Sequence, residues 1–255
     1  MFHRLRRHPF PVEAYFRHSL VLTYAYRVEV LAPLLPPGLT LDTHGGFGYL
    51  AIALVQTERL RPAWAPRALG QNFFLSGYRV FARLRTQGGR TLRGLRILRS
   101  DADRRVMVVA GNLFTHYQYR KCGATLRQHG GRLEIQIRTA RAEADLNVTA
   151  DLAGRPAAPP AGSPFHDLRE ARLFAGPLPF TFDYEPETHS IVVIEGHREH
   201  WDPQPVDVEV RQNTFLQRPP FAGVPPVLAN AFHVQDVPYR WRPGFLEPLS
   251  REVVS

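Results

Sequence analysis

Apolar and polar positions alternate along most of the chain, the signature of strands rather than helices. In SLVLTYAYRV (19–28), Leu20, Leu22, Tyr24 and Tyr26 alternate with Val21, Thr23, Ala25 and Arg27, which predicts a strand partly covered on both faces. EVLAPLLPPGL predicts a short helical turn stopped by Pro36, Pro37 and Gly38, and GYLAIALVQTERL a buried strand. NFFLSGYRVFARLRT meets RTLRGLRILRS across Gln87, Gly88 and Gly89, and TLRQH meets RLEIQIRT across Gly130 and Gly131, so two antiparallel hairpins are expected. HSIVVIEGHREHW, VDVEVRQ and AFHVQDVPYRW supply further strands. Helical spacing occurs in DADRRVMVVAGNLF, where Val106, Val109, Ala110 and Leu113 share a face and Ser100 or Asp101 is the expected cap. A second helix is expected in PFHDLREARLFAG, opened by Ser163 and Pro164 and ended by Gly176 and Pro177. The Pro/Ala/Gly stretch 153–164 reads as a loop, because the strands after it need partners. The expectation is a mainly β (α+β) fold, an antiparallel curved sheet or barrel with two or three short helices, in one domain spanning residues 1–255.

Composition narrows the classes. A chain of 255 residues, 44% hydrophobic and 22% charged, can bury one large core. Its net charge of +9 raises the possibility of a nucleic-acid partner. The arginines, however, are spread through the strands, without a stripe of interleaved aromatics, so no nucleic acid is expected. One cysteine excludes an internal disulfide. MFHRLRRHPFPVEAYF lacks the apolar run of a secretory signal, and no window approaches the ~18 apolar residues of a membrane span. The cytoplasm is therefore the expected location, with no membrane association, and homo-oligomerisation stays open.

The chemistry centres on THYQYRKCGAT (115–125). Lys121 is the chain's one lysine, against a total of 32 Lys and Arg. A desolvated lysine amine can lose its proton and form an imine with a ketone or aldehyde, which a guanidinium cannot do. Neighbours on a strand point to opposite faces, so either Lys121 faces a cavity as a nucleophile or Arg120 does as a carboxylate clamp. His116, Tyr117 and Tyr119 offer acid, base or hydrogen-bonding groups beside them, and Cys122 reads as a small buried residue. Further candidate ligand-binding groups are Glu58, Tyr78 and Arg79 (the latter two beside Gly77) and Glu195 next to Gly196. HREH lacks the i, i+4 spacing of a helical metal pair, so no metal is expected, and no cofactor is called for.

VLAPLLPPGLTLDT, GYLAIALVQT, NFFLSGYRVFARLRT and NLFTHYQYRKC, in that order and spacing, resemble the YqjF-like family, domain of unknown function 2071, over roughly residues 15–215. PLLPPGL is the most specific piece. The resemblance implies membership of the acetoacetate decarboxylase-like superfamily: a β-rich, cone-like barrel around an internal cavity, with characterised members that use a Schiff-base lysine. In acetoacetate decarboxylase the reactive lysine is the first of two adjacent lysines, and the corresponding pair here looks like Arg120 and Lys121. In register the reactive position is an arginine; a slip of one gives the role to Lys121. Two functions follow. One is a lyase of decarboxylase or aldolase/dehydratase type, acting on a small oxo acid or other carbonyl compound. The other is a barrel that binds a small ligand without turning it over. An RNA-binding surface is the weaker third.

Overall fold

The computed structural model describes residues 2–176 and 178–250, so the expected stop at Pro177 lies outside the described residues. β1 (Val12–Arg27) runs into α1 (Val28–Leu31), then β2 (Leu39–Leu41), β3 (Phe47–Pro62), β4 (Gln71–Arg85) and β5 (Thr91–Ala102). α2 (Arg105–Phe114) is followed by β6 (Tyr119–His129), β7 (Arg132–Thr139) and β8 (Leu146–Asp151). After α3 (Leu168–Ala175) come β9 (Phe180–Glu185), β10 (Ser190–His197), β11 (Gln204–Pro205), β12 (Asp207–Asn213), β13 (Val227–Trp241) and β14 (Phe245–Pro248). Both expected hairpins form, with Gly89, Gly130 and Gly131 at positive φ where the chain reverses.

Strand pairing closes a ring in the order β1, β3, β4, β5, β9, β10, β13 and back to β1, all antiparallel except β5 with β9. A second layer of β6, β7, β8 and β12 branches from it through a parallel pairing of β5 with β6. This layer explains the doubly covered pattern of β1. Leu20, Leu22 and Tyr24 of β1, with Ile52 of β3 and Tyr78 of β4, share a core with Ile135 and Val148 of the second layer. The alternate positions, Val21 of β1 and Ala51, Ala53 and Val55 of β3, face the interior of the ring.

Both longer helices start later than expected. Ser100 and Asp101 belong to β5, where buried Asp101 is paired with Arg99, and α2 begins at Arg105 without a side-chain cap. α2 also turns its expected apolar face outward. Val109 is 69% exposed, whereas Met107 and Gly111 are buried. The cause is steric: the Tyr119 ring occupies the space a side chain at 111 would need, so the helix packs through its glycine. In α3, Ser163 does not cap. Its Oγ donates to the Ala229 carbonyl at 2.7 Å, and the cap is Asp167, which accepts from the Glu170 N–H at 2.7 Å. Asp167→Ala is expected to lower stability by about 1 kcal/mol, read as a lowered denaturant midpoint with unchanged slope.

Candidate functional site

The ring encloses a cavity of about 480 Å³ with mostly apolar walls. Among the described residues none of the lining is Asp, Glu or Lys, yet three arginines reach it beside three tyrosines: Arg61, which is paired with Glu13 at 2.8 Å, and Arg79 and Arg198, which have no carboxylate partner among the described residues. Arg79 leaves β4 and folds back over Gly77, where a Cβ would lie 3.0 Å from Nε and 3.1 Å from Nη2. Arg79 Nε is buried and has no hydrogen-bond partner. Arg198, just beyond β10, lies 4.5 Å over the Trp201 ring and donates from Nη1 to Tyr239 Oη at 3.3 Å. Burial lowers its pKa, as expected for a cation with no carboxylate beside it among the described residues. The Tyr239 hydroxyl in turn sits over Gly196, where a Cβ would overlap it.

Tyr117 and Tyr119 complete the polar region. The Tyr117 hydroxyl is 2.6 Å from Thr181 Oγ1. Asn112 of α2 accepts from the Tyr119 N–H at 2.6 Å and donates to its carbonyl at 2.9 Å, which fixes the chain where β6 begins. Burial raises the pKa of Tyr117 and Tyr239, and pushes Tyr119 up to about 12 against the opposing charge of Arg79. All three phenols therefore hold their protons at neutral pH and can donate to an oxygen. Thr57 Oγ1 and Trp201 Nε1 are buried in the lining without partners. Trp64 and Leu69, 76% and 64% exposed, stand at a mouth of the cavity. Trp64, Trp201 and Trp241 are the chain's three tryptophans, and each lines the cavity.

Of the sequence candidates, the structure brings Arg79 and Tyr119 together in the cavity. Lys121 is not there. It shares the Tyr119 face of β6, but two residues on that face is exposed, and Nζ donates to the Cys122 carbonyl at 2.6 Å. Arg120 is exposed and pairs with Glu143 at 2.7 Å. Gln118 has a φ of 50°, so regular alternation starts only at Tyr119, and Tyr117 reaches the cavity independently of it. His116 lies outside the lining, its Nε2 3.7 Å from Glu185. Glu58 pairs with Arg17 and Glu195 with Arg242, both at the surface. Tyr78 is fully buried on the opposite face of β4, its hydroxyl donating to the Ala144 carbonyl at 3.3 Å. β10 ends at His197, so the strand expected through HSIVVIEGHREHW stops before Arg198. Arg198, Tyr239 and Thr57 were not among the sequence candidates; Gly196, two residues before Arg198, was the available signal. Gly196→Ala is expected to displace the Tyr239 ring and lower stability by roughly 1–3 kcal/mol, as overpacking does, with a change in tryptophan fluorescence from Trp241, whose ring centroid lies 4.5 Å from that ring at a tilt of 47°.

The family model DUF2071, described as an uncharacterized conserved protein, matches residues 13–236. No curated protein matches the chain. Among solved structures, acetoacetate decarboxylase from Legionella pneumophila is similar with a TM-score of 0.61 at 11% identity, over 96% of this chain and 90% of that one. An acetoacetate decarboxylase-like enzyme from Sphingomonas wittichii gives 0.59 at 14%, over 94% and 93%. The enduracididine biosynthesis enzyme MppR, complexed with pyruvate, gives 0.57 at 13%, over 93% and 90%. At these identities the likeness establishes the fold.

Proposed function

Since the chain belongs to the DUF2071 family and has the acetoacetate decarboxylase-like fold, we propose that its cavity receives a small organic acid, held by its carboxylate at Arg79 with Arg198 alongside. One observation carries this reading: a half-buried arginine whose Nε is fully buried and unpartnered, in a cavity whose described lining has no acidic side chain. Leaving a buried charge unpaired costs several kcal/mol, and a bidentate carboxylate removes that cost while satisfying the guanidinium. Pyruvate in the MppR complex is an acid of this class.

Turnover in this reading does not pass through an imine. The Lys121 amine lies outside the cavity on an exposed strand face, where it donates to the Cys122 carbonyl. If the acid carries a carbonyl, the protonated phenols of Tyr117, Tyr119 and Tyr239 are the groups placed to donate to its oxygen. Binding without turnover uses the same arginines. The test is borohydride reduction in the presence of pyruvate and acetoacetate, with peptide mapping and calorimetric titration of the same acids. The expected result is Arg79-dependent binding with no adduct at Lys121, the N-terminal amine serving as internal control. A specific adduct at Lys121, absent from Lys121→Arg, would overturn the imine-free reading.

A further inference from the structure

The cavity is far larger than a three- or four-carbon oxo acid requires, and its polar and apolar parts are laid out in sequence. At ~30 Å³ for each water-sized unit, 480 Å³ holds roughly sixteen such units, of which pyruvate would fill less than half. Arg79 folds back to Gly77, six residues along β4 from Gln71, which lines the cavity beside the mouth residue Leu69. Six strand residues span ~20 Å. Over that length the lining is Leu75 and Phe73 of β4, Val55 and Leu60 of β3, and Met107 and Phe114 of α2. Thr57 is a polar position within it, its orphan hydroxyl facing this stretch, with Gln71 and Arg61 toward the mouth end. Trp64 and Leu69 extend the apolar surface to the outside.

We propose that the ligand is an elongated amphipathic monocarboxylic acid, bound carboxylate-first, with its head at Arg79 and Arg198 and an apolar tail running along β3 and β4 to the Trp64 mouth. This inference rests on the carboxylate reading above and adds the tail. A total of roughly ten to sixteen non-hydrogen atoms matches the volume. A phosphate monoester is a poorer fit, because Arg198 is committed to the Trp201 face and the Tyr239 hydroxyl, which leaves Arg79 as the free two-pronged donor. Arg61, toward the mouth, is already committed to Glu13 at 2.8 Å and to the Ala65 carbonyl at 3.0 Å, so this wall offers no free second anchor and the tail is recognised by burial.

Calorimetric titration of the full chain with saturated acids from propanoate to dodecanoate, each below its micellar concentration, tests the inference, with 1-decanol, decyl phosphate and pyruvate as comparison ligands. The expected result is affinity rising about fourfold per added methylene through dodecanoate, with 1-decanol at least thirtyfold weaker than decanoate. Trp64→Ala, at an exposed position that folding does not depend on, is expected to weaken the longest acids severalfold and leave hexanoate unchanged. Affinity independent of chain length, with pyruvate still binding through Arg79, would overturn the tail and leave the carboxylate reading standing. Decanol binding as tightly as decanoate, decyl phosphate binding tighter than decanoate, or no acid binding at any length would overturn the inference, and the last would remove the carboxylate reading with it.

Discussion

Arg79→Met is expected to raise the melting temperature and to abolish acid binding in the same protein. The two effects have one cause. In the ligand-free chain Arg79 is half-buried beside Tyr117 and Tyr119 with its buried Nε unpartnered, and a buried polar group left that way costs about 1–3 kcal/mol. Methionine replaces the side chain out to the position of Nε, the atom that lies over Gly77, with an apolar, uncharged group. For a domain of this size each kcal/mol is about 2–4 °C, so a rise of several degrees is expected in a thermal melt. Loss of a bidentate charge-assisted contact is expected to weaken a carboxylate ligand about a hundredfold in titration calorimetry. A variant that is both less stable and still binds acids would mean that Arg79 is a structural residue with an unseen partner.

Glu185→Ala is expected to cost about 3 kcal/mol and to weaken ligand binding from a distance. Glu185 is fully buried at the end of β9 and accepts from Arg7 Nε at 2.9 Å, Arg7 Nη2 at 2.6 Å and Thr188 Oγ1 at 2.6 Å. That pair ties down the 3₁₀ segment Phe2–Arg7, and the residues that follow, His8, Pro9 and Phe10, line the cavity. Removing one partner of a buried pair costs about 3–5 kcal/mol, and the lower figure applies because Arg7 keeps some contact with solvent. Burial pushes the Glu185 carboxyl up, but the hydrogen bonds from Arg7 and Thr188 and the charge of Arg7 outweigh it and hold the pKa below its ordinary value of 4.5. A carboxyl lowered in the folded state stabilises fully above its unfolded pKa and loses that contribution as pH falls through the folded one. The gap in melting temperature between the native chain and Glu185→Gln should thus be constant from pH 7 to about 5 and close below ~4.3. A gap that closes instead between pH 6 and 8 would assign the effect to another group.

The architecture was legible because strand periodicity is a local signal. Leu20, Leu22, Tyr24 and Tyr26 against Val21, Thr23 and Ala25 told of two covered faces, and the structure puts the second layer on one and the cavity on the other. The hairpin glycines gave both turns. What alternation could not tell was which face is which, and where a face stops being interior. Tyr119 and Lys121 share a face of β6, yet one ends in the cavity and the other in solvent, because Lys121 pairs with Ala102, the last residue of β5, where the ring strand ends. The helix over Val106, Val109 and Leu113 misled for the opposite reason: its partner is an aromatic ring that needs Gly111, so packing follows the smallest residue rather than the apolar stripe. A similar gap hid the anion site. Arg79 was visible beside Gly77, whereas Arg198 lies after a strand end and reaches Tyr239 across more than forty residues of chain. Nothing local joins those two segments.

The most direct test of the central claim is a crystal structure of the chain with a bromine-terminated straight-chain acid such as 10-bromodecanoate, phased on the bromine. The account predicts the carboxylate within hydrogen-bonding distance of the Arg79 guanidinium, beside Arg198 and Tyr239, with the bromine peak toward Trp64 and Leu69. A bromine at the Arg79 end with the carboxylate in solvent, or density for the acid only outside the ring, would contradict it.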